Sequence, residues 1–254
     1  MLISTFRLRS FLIHVAVSAT LAVVAMALVF LVWYPSPLQL AAGVTEIFLI
    51  ILGVDVTLGP FLTLVLANPL KKRALFMLDL SIIIVIQLTA FAYGIYTVAI
   101  ERPAWVVFTT DSYFDLVLAS ELSAEKPDQV LPEFRQASWF GPQFACVPLP
   151  DDAKEREDLM FKSFDAVATG VDLFQMPWMY RPLSECTAVI KDKARELDKL
   201  NSFNPAEQVQ AILAQNPQAD GWLPLNSRKN QSVVVLVKKD EGHVVKIVDL
   251  APWD

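Results

Sequence analysis

From Phe11 to Trp33 the chain runs 23 residues without one Lys, Arg, Asp or Glu. At about 1.5 Å per residue, a helix of that length crosses a hydrocarbon core of about 30 Å. Two further apolar runs follow at 44–66 and 74–100. Backbone N–H and C=O groups facing lipid must pair within their own segment, so runs of this kind are restricted to helices. The expectation is a membrane protein: a three-helix transmembrane bundle in residues 1–100, with spans at about 11–33, 44–66 and 74–100. The first run exceeds the apolar length of a signal peptide. Leu40-Ala41-Ala42, beyond Pro35 and Pro37, is a poor cleavage match, so an uncleaved anchor is expected.

Charge divides the chain in the same place. Arg7, Arg9, Lys71, Lys72 and Arg73 stand against Glu46, Asp55 and Asp79 in the first hundred residues, a net of +2; the whole-chain net of −6 leaves −8 for residues 101–254. An acidic soluble half argues against nucleic acid and anionic membrane surfaces as its partners. Positive charge is retained on the cytoplasmic side of a membrane. That rule puts the N-terminus and the Asn68–Arg73 loop in the cytoplasm, and the Tyr34-Pro35-Ser36-Pro37 turn and residues 101–254 outside it. In a bacterium this is an inner-membrane, multi-pass protein with a periplasmic domain.

The soluble half reads as α+β. Ala104–Thr109 and Tyr113–Ala119 have strand composition. Ser232–Lys238 and His243–Asp249 flank Lys239-Asp240-Glu241-Gly242, a hairpin signal. Helices are expected over Asp151–Ala168, Ser184–Leu200 and from Asn204-Pro205 to about Gln215. The proline-rich stretch 126–150 is expected to be irregular.

Chemistry concentrates inside the second span, in Gly53-Val54-Asp55-Val56-Thr57-Leu58-Gly59-Pro60. A carboxylate near a bilayer centre costs about 2.5–3.5 kcal/mol on insertion scales, so Asp55 calls for a partner. Gly53 and Gly59 permit close approach of another backbone, and Pro60 frees a helix carbonyl that lipid cannot satisfy. Gln87, in the third span, falls at a depth similar to Asp55. Two readings stand: Asp55 is tied to Gln87, Ser18, Thr20 or Thr89 and locks the bundle, or it meets a polar or cationic group on a client helix. His14 reads as an interfacial or hydrogen-bonded histidine rather than a metal ligand.

The two cysteines, Cys146 and Cys186, both fall in the exported half, where a disulfide is the default. No phosphate-binding glycine loop, paired-histidine zinc motif or nucleophile elbow is present, which points away from an enzyme and from a cofactor. The acidic run Asp151–Asp158 reads as a solvated face. Pro177, Trp178, Tyr180 and Arg181 lie in an aromatic loop bounded by prolines. Such a loop serves either as core or as a peptide-recognition surface.

Several stretches resemble the TfpX/TfpZ-type type IV pilin accessory proteins. They include Arg7–His14, Leu31–Pro35, Gly53–Leu64 with Asn68-Pro69 and the basic loop, Tyr93–Tyr96, Arg102-Pro103 with the strand after it, Phe140–Pro142 and Pro177–Leu183. The resemblance is denser in the membrane half. It implies an inner-membrane, chaperone-like factor for assembly or surface display of a cognate type IV major pilin, with no catalytic residues carried over. A pilin held in the membrane by one helix, with a periplasmic head, would meet the Gly53–Pro60 face with its helix and the soluble domain with its head. The competing function classes are a membrane-anchored periplasmic binding or sensor module, a membrane enzyme modifying pilin or lipid, for which the sequence offers no obvious set of converging titratable residues, and an immunity-type membrane protein.

Overall fold

The structure, a computed structural model, describes residues 5–109, 112–148, 152, 154, 156–157, 172–227 and 232–253. The chain divides into two compact units, Met1–Val32 with Val44–Ile100, and Trp33–Gly43 with Glu101–Asp254.

The first unit is built from three helices long and apolar enough to span a membrane, Thr5–Trp33, Val44–Leu66 and Arg73–Ile100. They match the three apolar runs closely. The first comprises α1 (Thr5–Ala27) and a π-helical continuation, Leu28–Trp33. After the short α2 (Leu38–Ala42) come α3 (Val44–Leu66) and α4 (Arg73–Ile100). Helix α3 is the middle member, packed on both α1 and α4. Ile50, Val85 and Ile86 are among many large apolar side chains left on the outside. In water that would be an aggregation-prone surface; in lipid it is the solvated one. Asp79, near the start of α4, pairs with Lys71 of the basic loop.

The second unit is an α+β domain around a six-stranded sheet of order β3-β1-β2-β4-β5-β6. The strands are β1 (Pro103–Phe108), β2 (Phe114–Leu118), β3 (Gln143–Cys146), β4 (Gly221–Asn226), β5 (Val233–Lys238) and β6 (His243–Val248). Neighbouring strands run antiparallel except β1/β3 and β2/β4, which are parallel. Side chains alternate across the sheet with period two. Val106, Phe108, Val233, Val235 and Val237 enter one core, while Trp105 and Val107 enter a second and Val234 and Leu236 a third. Burial on both faces explains why β5 reads as an unbroken apolar run rather than an alternating one.

Among the described residues the fold differs from expectation in three places. The stretch 126–150 is not wholly irregular, because Gln143–Cys146 forms the four-residue edge strand β3, parallel to β1. Strand β4 has no counterpart in the sequence reading, because Pro224 argues against a central strand. Its ladder to β2 uses only Leu225 and Asn226, so the missing N–H of Pro224 falls outside that pairing. The single helix expected over Ser184–Leu200 is split into α5 (Thr187–Lys193) and a later 3₁₀ stretch, Leu197–Ser202. The break falls where Arg195 exchanges backbone hydrogen bonds with Trp222 of β4. The helix from Asn204-Pro205 is found as α6 (Ala206–Gln215). The expected helix Asp151–Ala168, with its acidic run, lies outside the described residues apart from isolated positions.

The turn between the first two spans is part of this domain's core. Leu38 and Ala41 of α2 are buried beside Val106, Leu116 and Leu225. Ser227 donates from its hydroxyl to the Ala41 carbonyl at 2.5 Å. Tyr34 is buried too; burial first, and then the nearby Glu101, push its hydroxyl above the ordinary tyrosine range.

Cys146 at the end of β3 and Cys186 before α5 form a disulfide across a sequence separation of 40 residues, and both sit in the core beside α2. In the chain-entropy model a loop of that length is worth about 4 kcal/mol. Replacing both cysteines by alanine in the full-length protein is expected to lower the thermal midpoint of the sheet domain by several degrees. Near-UV circular dichroism in detergent measures it, and an unchanged midpoint would mean the crosslink adds nothing to this fold.

Candidate functional site: a polar cluster within the bundle

Asp55, Gly59 and Thr63 recur every four residues along α3, so they share one face. His14 and Ser18 do the same on α1. Gln87 of α4 reaches between them. Its Nε2 donates to the backbone carbonyl of Asp55 at 2.7 Å and to the Ser18 hydroxyl at 3.2 Å. Its Oε1 lies 2.9 Å from His14 Nε2, while His14 Nδ1 lies 2.6 Å from the Thr63 hydroxyl.

Proton positions follow from this chain. A group meeting two oxygens must be the amide nitrogen, so Gln87 Oε1 faces the imidazole as an acceptor. His14 therefore donates from Nε2 to Gln87 Oε1, and its Nδ1 meets the Thr63 hydroxyl. Both Gln87 N–H groups are used and the imidazole is satisfied at each nitrogen. One glutamine joins all three spans.

Gly59 is what admits it. A Cβ built on Gly59 would lie 2.0 Å from Gln87 Oε1 and 2.5 Å from its carboxamide carbon. Pro60 next to it has no N–H for the carbonyl four residues earlier, which loosens the α3 ladder at the turn where Gln87 attaches. Gly53 is placed differently: it is exposed, with nothing within 4 Å of a built Cβ, and its carbonyl accepts from the Thr57 hydroxyl at 2.7 Å.

The Asp55 side chain is not tied to Gln87; only its backbone carbonyl is. Its Oδ2 is buried and has no hydrogen-bond partner among the described residues. It borders a cavity of about 330 Å³ between α1 and α4, floored by α3. Apolar side chains such as Val17, Leu21, Leu80 and Ile84 form its walls, and His14, Ser18, Asp55, Thr63 and Gln87 supply its polar positions. Such a cavity suits an apolar segment that brings one hydrogen-bond donor or cation to a fixed depth.

The aromatic loop is placed mostly in the core. Pro177 and Tyr180 are buried, and Tyr180 stacks edgewise on Trp105 and Phe134 while donating to the Phe174 carbonyl. Burial, then Asp115 and Glu121, hold its phenol far above the ordinary range, so it stays a neutral donor. Arg181 exchanges backbone hydrogen bonds with Cys146, and its guanidinium donates to the Tyr180 carbonyl at 2.8 Å. Trp178 is half-buried, with the Lys126 ammonium 3.9 Å from its ring centroid.

His14 and Thr63 join this cluster although neither stands out in the sequence as a partner of Asp55 or Gln87. The available signal was the four-residue spacing of His14 with Ser18, and of Thr63 with Asp55 and Gly59.

Three apolar spans, a shared polar interior and a folded α+β domain define a multi-span membrane protein with a soluble domain. The model of the family described as "Fimbrial assembly protein FimB" matches residues 4–43. The chain is 36% identical over 227 residues to the "Fimbrial assembly protein, serogroup I" of Dichelobacter nodosus, covering 89% of this chain and 78% of that one. It is 35% identical over 234 residues to the serogroup E1 protein of the same organism, covering 90% of this chain and 89% of that one. To the protein of serogroups C1 and C2 it is 46% identical over 100 residues, covering 39% and 76%. No solved structure matches. The chain belongs to the fimbrial assembly protein family.

The Gly59–Gln87 contact yields a measurable coupling. Gly59→Ala is expected to expel Gln87 and destabilise the bundle, and to cost much less in a Gln87→Ala background. The coupling should fall within about 0.5–3 kcal/mol in a double-mutant cycle of unfolding in mixed micelles. Equal costs in both backgrounds would show that the notch does not hold Gln87.

Proposed function

We propose that this protein is an inner-membrane accessory factor that supports assembly or surface display of a cognate type IV pilin, as a non-catalytic, chaperone-like partner of the TfpX/TfpZ type. The observation that carries the reading is the identity of 35–36% to fimbrial assembly proteins along nine-tenths of the chain. Arg7, Arg9 and Lys71-Lys72-Arg73 favour a cytoplasmic N-terminus and basic loop, which puts the sheet domain in the periplasm. The Cys146–Cys186 disulfide is in keeping with that oxidising compartment.

On this reading the cavity beside Asp55 receives the pilin's membrane helix, while the soluble domain meets the pilin head. The support is chemical. An apolar-walled cavity with an unpartnered carboxylate oxygen on its floor offers an apolar helix both burial and one polar anchor. The anchor matters because a helix gains no hydrophobic free energy merely by leaving lipid for another helix.

Photo-crosslinking residues placed at 55 and 178, in cells producing the candidate pilin, test the reading. An adduct is expected from 55. Asp55→Ala is expected to reduce surface pili at an unchanged level of inserted protein. Normal piliation in this variant, with no adduct from either position, would sink the proposal.

A further inference from the structure

The sheet domain carries an aromatic tip packed on the residues that connect it to the membrane spans. Trp33 is the last residue of the first span, and Arg102 lies two residues beyond the end of the third. Trp139 packs on both. Its ring is 6.1 Å from that of Trp33, and the Arg102 guanidinium carbon lies 3.9 Å from its centroid. Arg102 is only 7% exposed and is fixed by donating from Nε to the Ser138 carbonyl at 3.1 Å and from a terminal nitrogen to Ala137 at 3.3 Å. The guanidinium thus clamps the backbone just before the tip. Ser138 Oγ accepts from the Phe140 N–H at 2.9 Å, and Gly141 turns the chain back at a φ of 93°.

The outcome is an outward-facing pair. Phe140 is 89% exposed and Trp139 is 55% exposed. In water these two rings would leave a contiguous apolar surface unburied. We propose that the Ser138–Gly141 loop is a membrane-contacting tip, with Trp139 in the interfacial belt defined by Trp33 and Phe140 inserted among the lipids beside it. Tryptophan favours that depth because its ring is amphipathic, and an arginine there keeps its charge at headgroup level. The partner is the bilayer surface itself. This assignment stands independently of the pilin reading, since it uses only the span ends and the loop's geometry.

Both natural cysteines are consumed in the disulfide, so an introduced cysteine is the single free thiol. The full chain carrying Phe140→Cys, labelled with an environment-sensitive fluorophore, goes into nanodiscs of phosphatidylethanolamine and phosphatidylglycerol. The same label on Glu207→Cys, on the exposed face of α6, is the reference. At 140 we expect blue-shifted emission, a several-fold loss of iodide quenching relative to 207, and strong quenching by lipids carrying a nitroxide near the headgroup end of the acyl chain. Iodide quenching at 140 equal to that at 207, with no lipid quenching, overturns the proposal. Shielding that appears only when pilin is co-produced would also overturn it, by making the tip a protein contact.

Discussion

The bundle depends on one carboxamide. Gln87 reaches from α4 to a backbone carbonyl of α3 and to two side chains of α1, and no residue larger than glycine at 59 would let it pass. Hydrogen bonds between transmembrane helices are individually modest, about 0.6 kcal/mol on average. Their value here is geometric. A lipid-facing helix can rotate and slide at little cost, because lipid is as apolar as its neighbours. A saturated polar centre admits one register, since every alternative leaves donors or acceptors unpaired in hydrocarbon.

That fixed register has a consequence at Asp55. Its backbone carbonyl is engaged and its carboxylate oxygen Oδ2 is not. The residue therefore divides into a structural half, which belongs to the bundle, and a chemical half that borders the cavity. Gln87 and the Asp55 main chain join the two helices, and the carboxylate oxygen is left at the cavity.

The sheet domain solves a different problem. Its core takes in the connection between the first two spans. Helix α2 is buried against the sheet, the disulfide sits beside it, and Tyr34 is enclosed. A turn that reads as a bare connector is a core element, because Leu38 and Ala41 supply apolar surface that the β1, β2 and β4 face needs to cover itself.

The three spans, the hairpin β5–β6, strands β1 and β2, helix α6 and the pairing of the two cysteines are legible in the amino-acid sequence. Each of these is written in local terms: length of apolar run, periodicity, turn residues, or an inventory with one possible pairing. The sequence also flagged Asp55, Gly59 and Gln87, because polar atoms and glycine in a span are costly without a reason. Which atoms meet depends on packing between segments far apart in the chain. It took contacts between residues 14, 63 and 87 to show His14 and Thr63 as members of one network, and pairing with β5 to make a strand of Gly221–Asn226 despite Pro224. Pro177 and Tyr180 are core residues for the same reason: an aromatic loop looks alike in sequence whether it faces solvent or Trp105, and only the packing around it settles which.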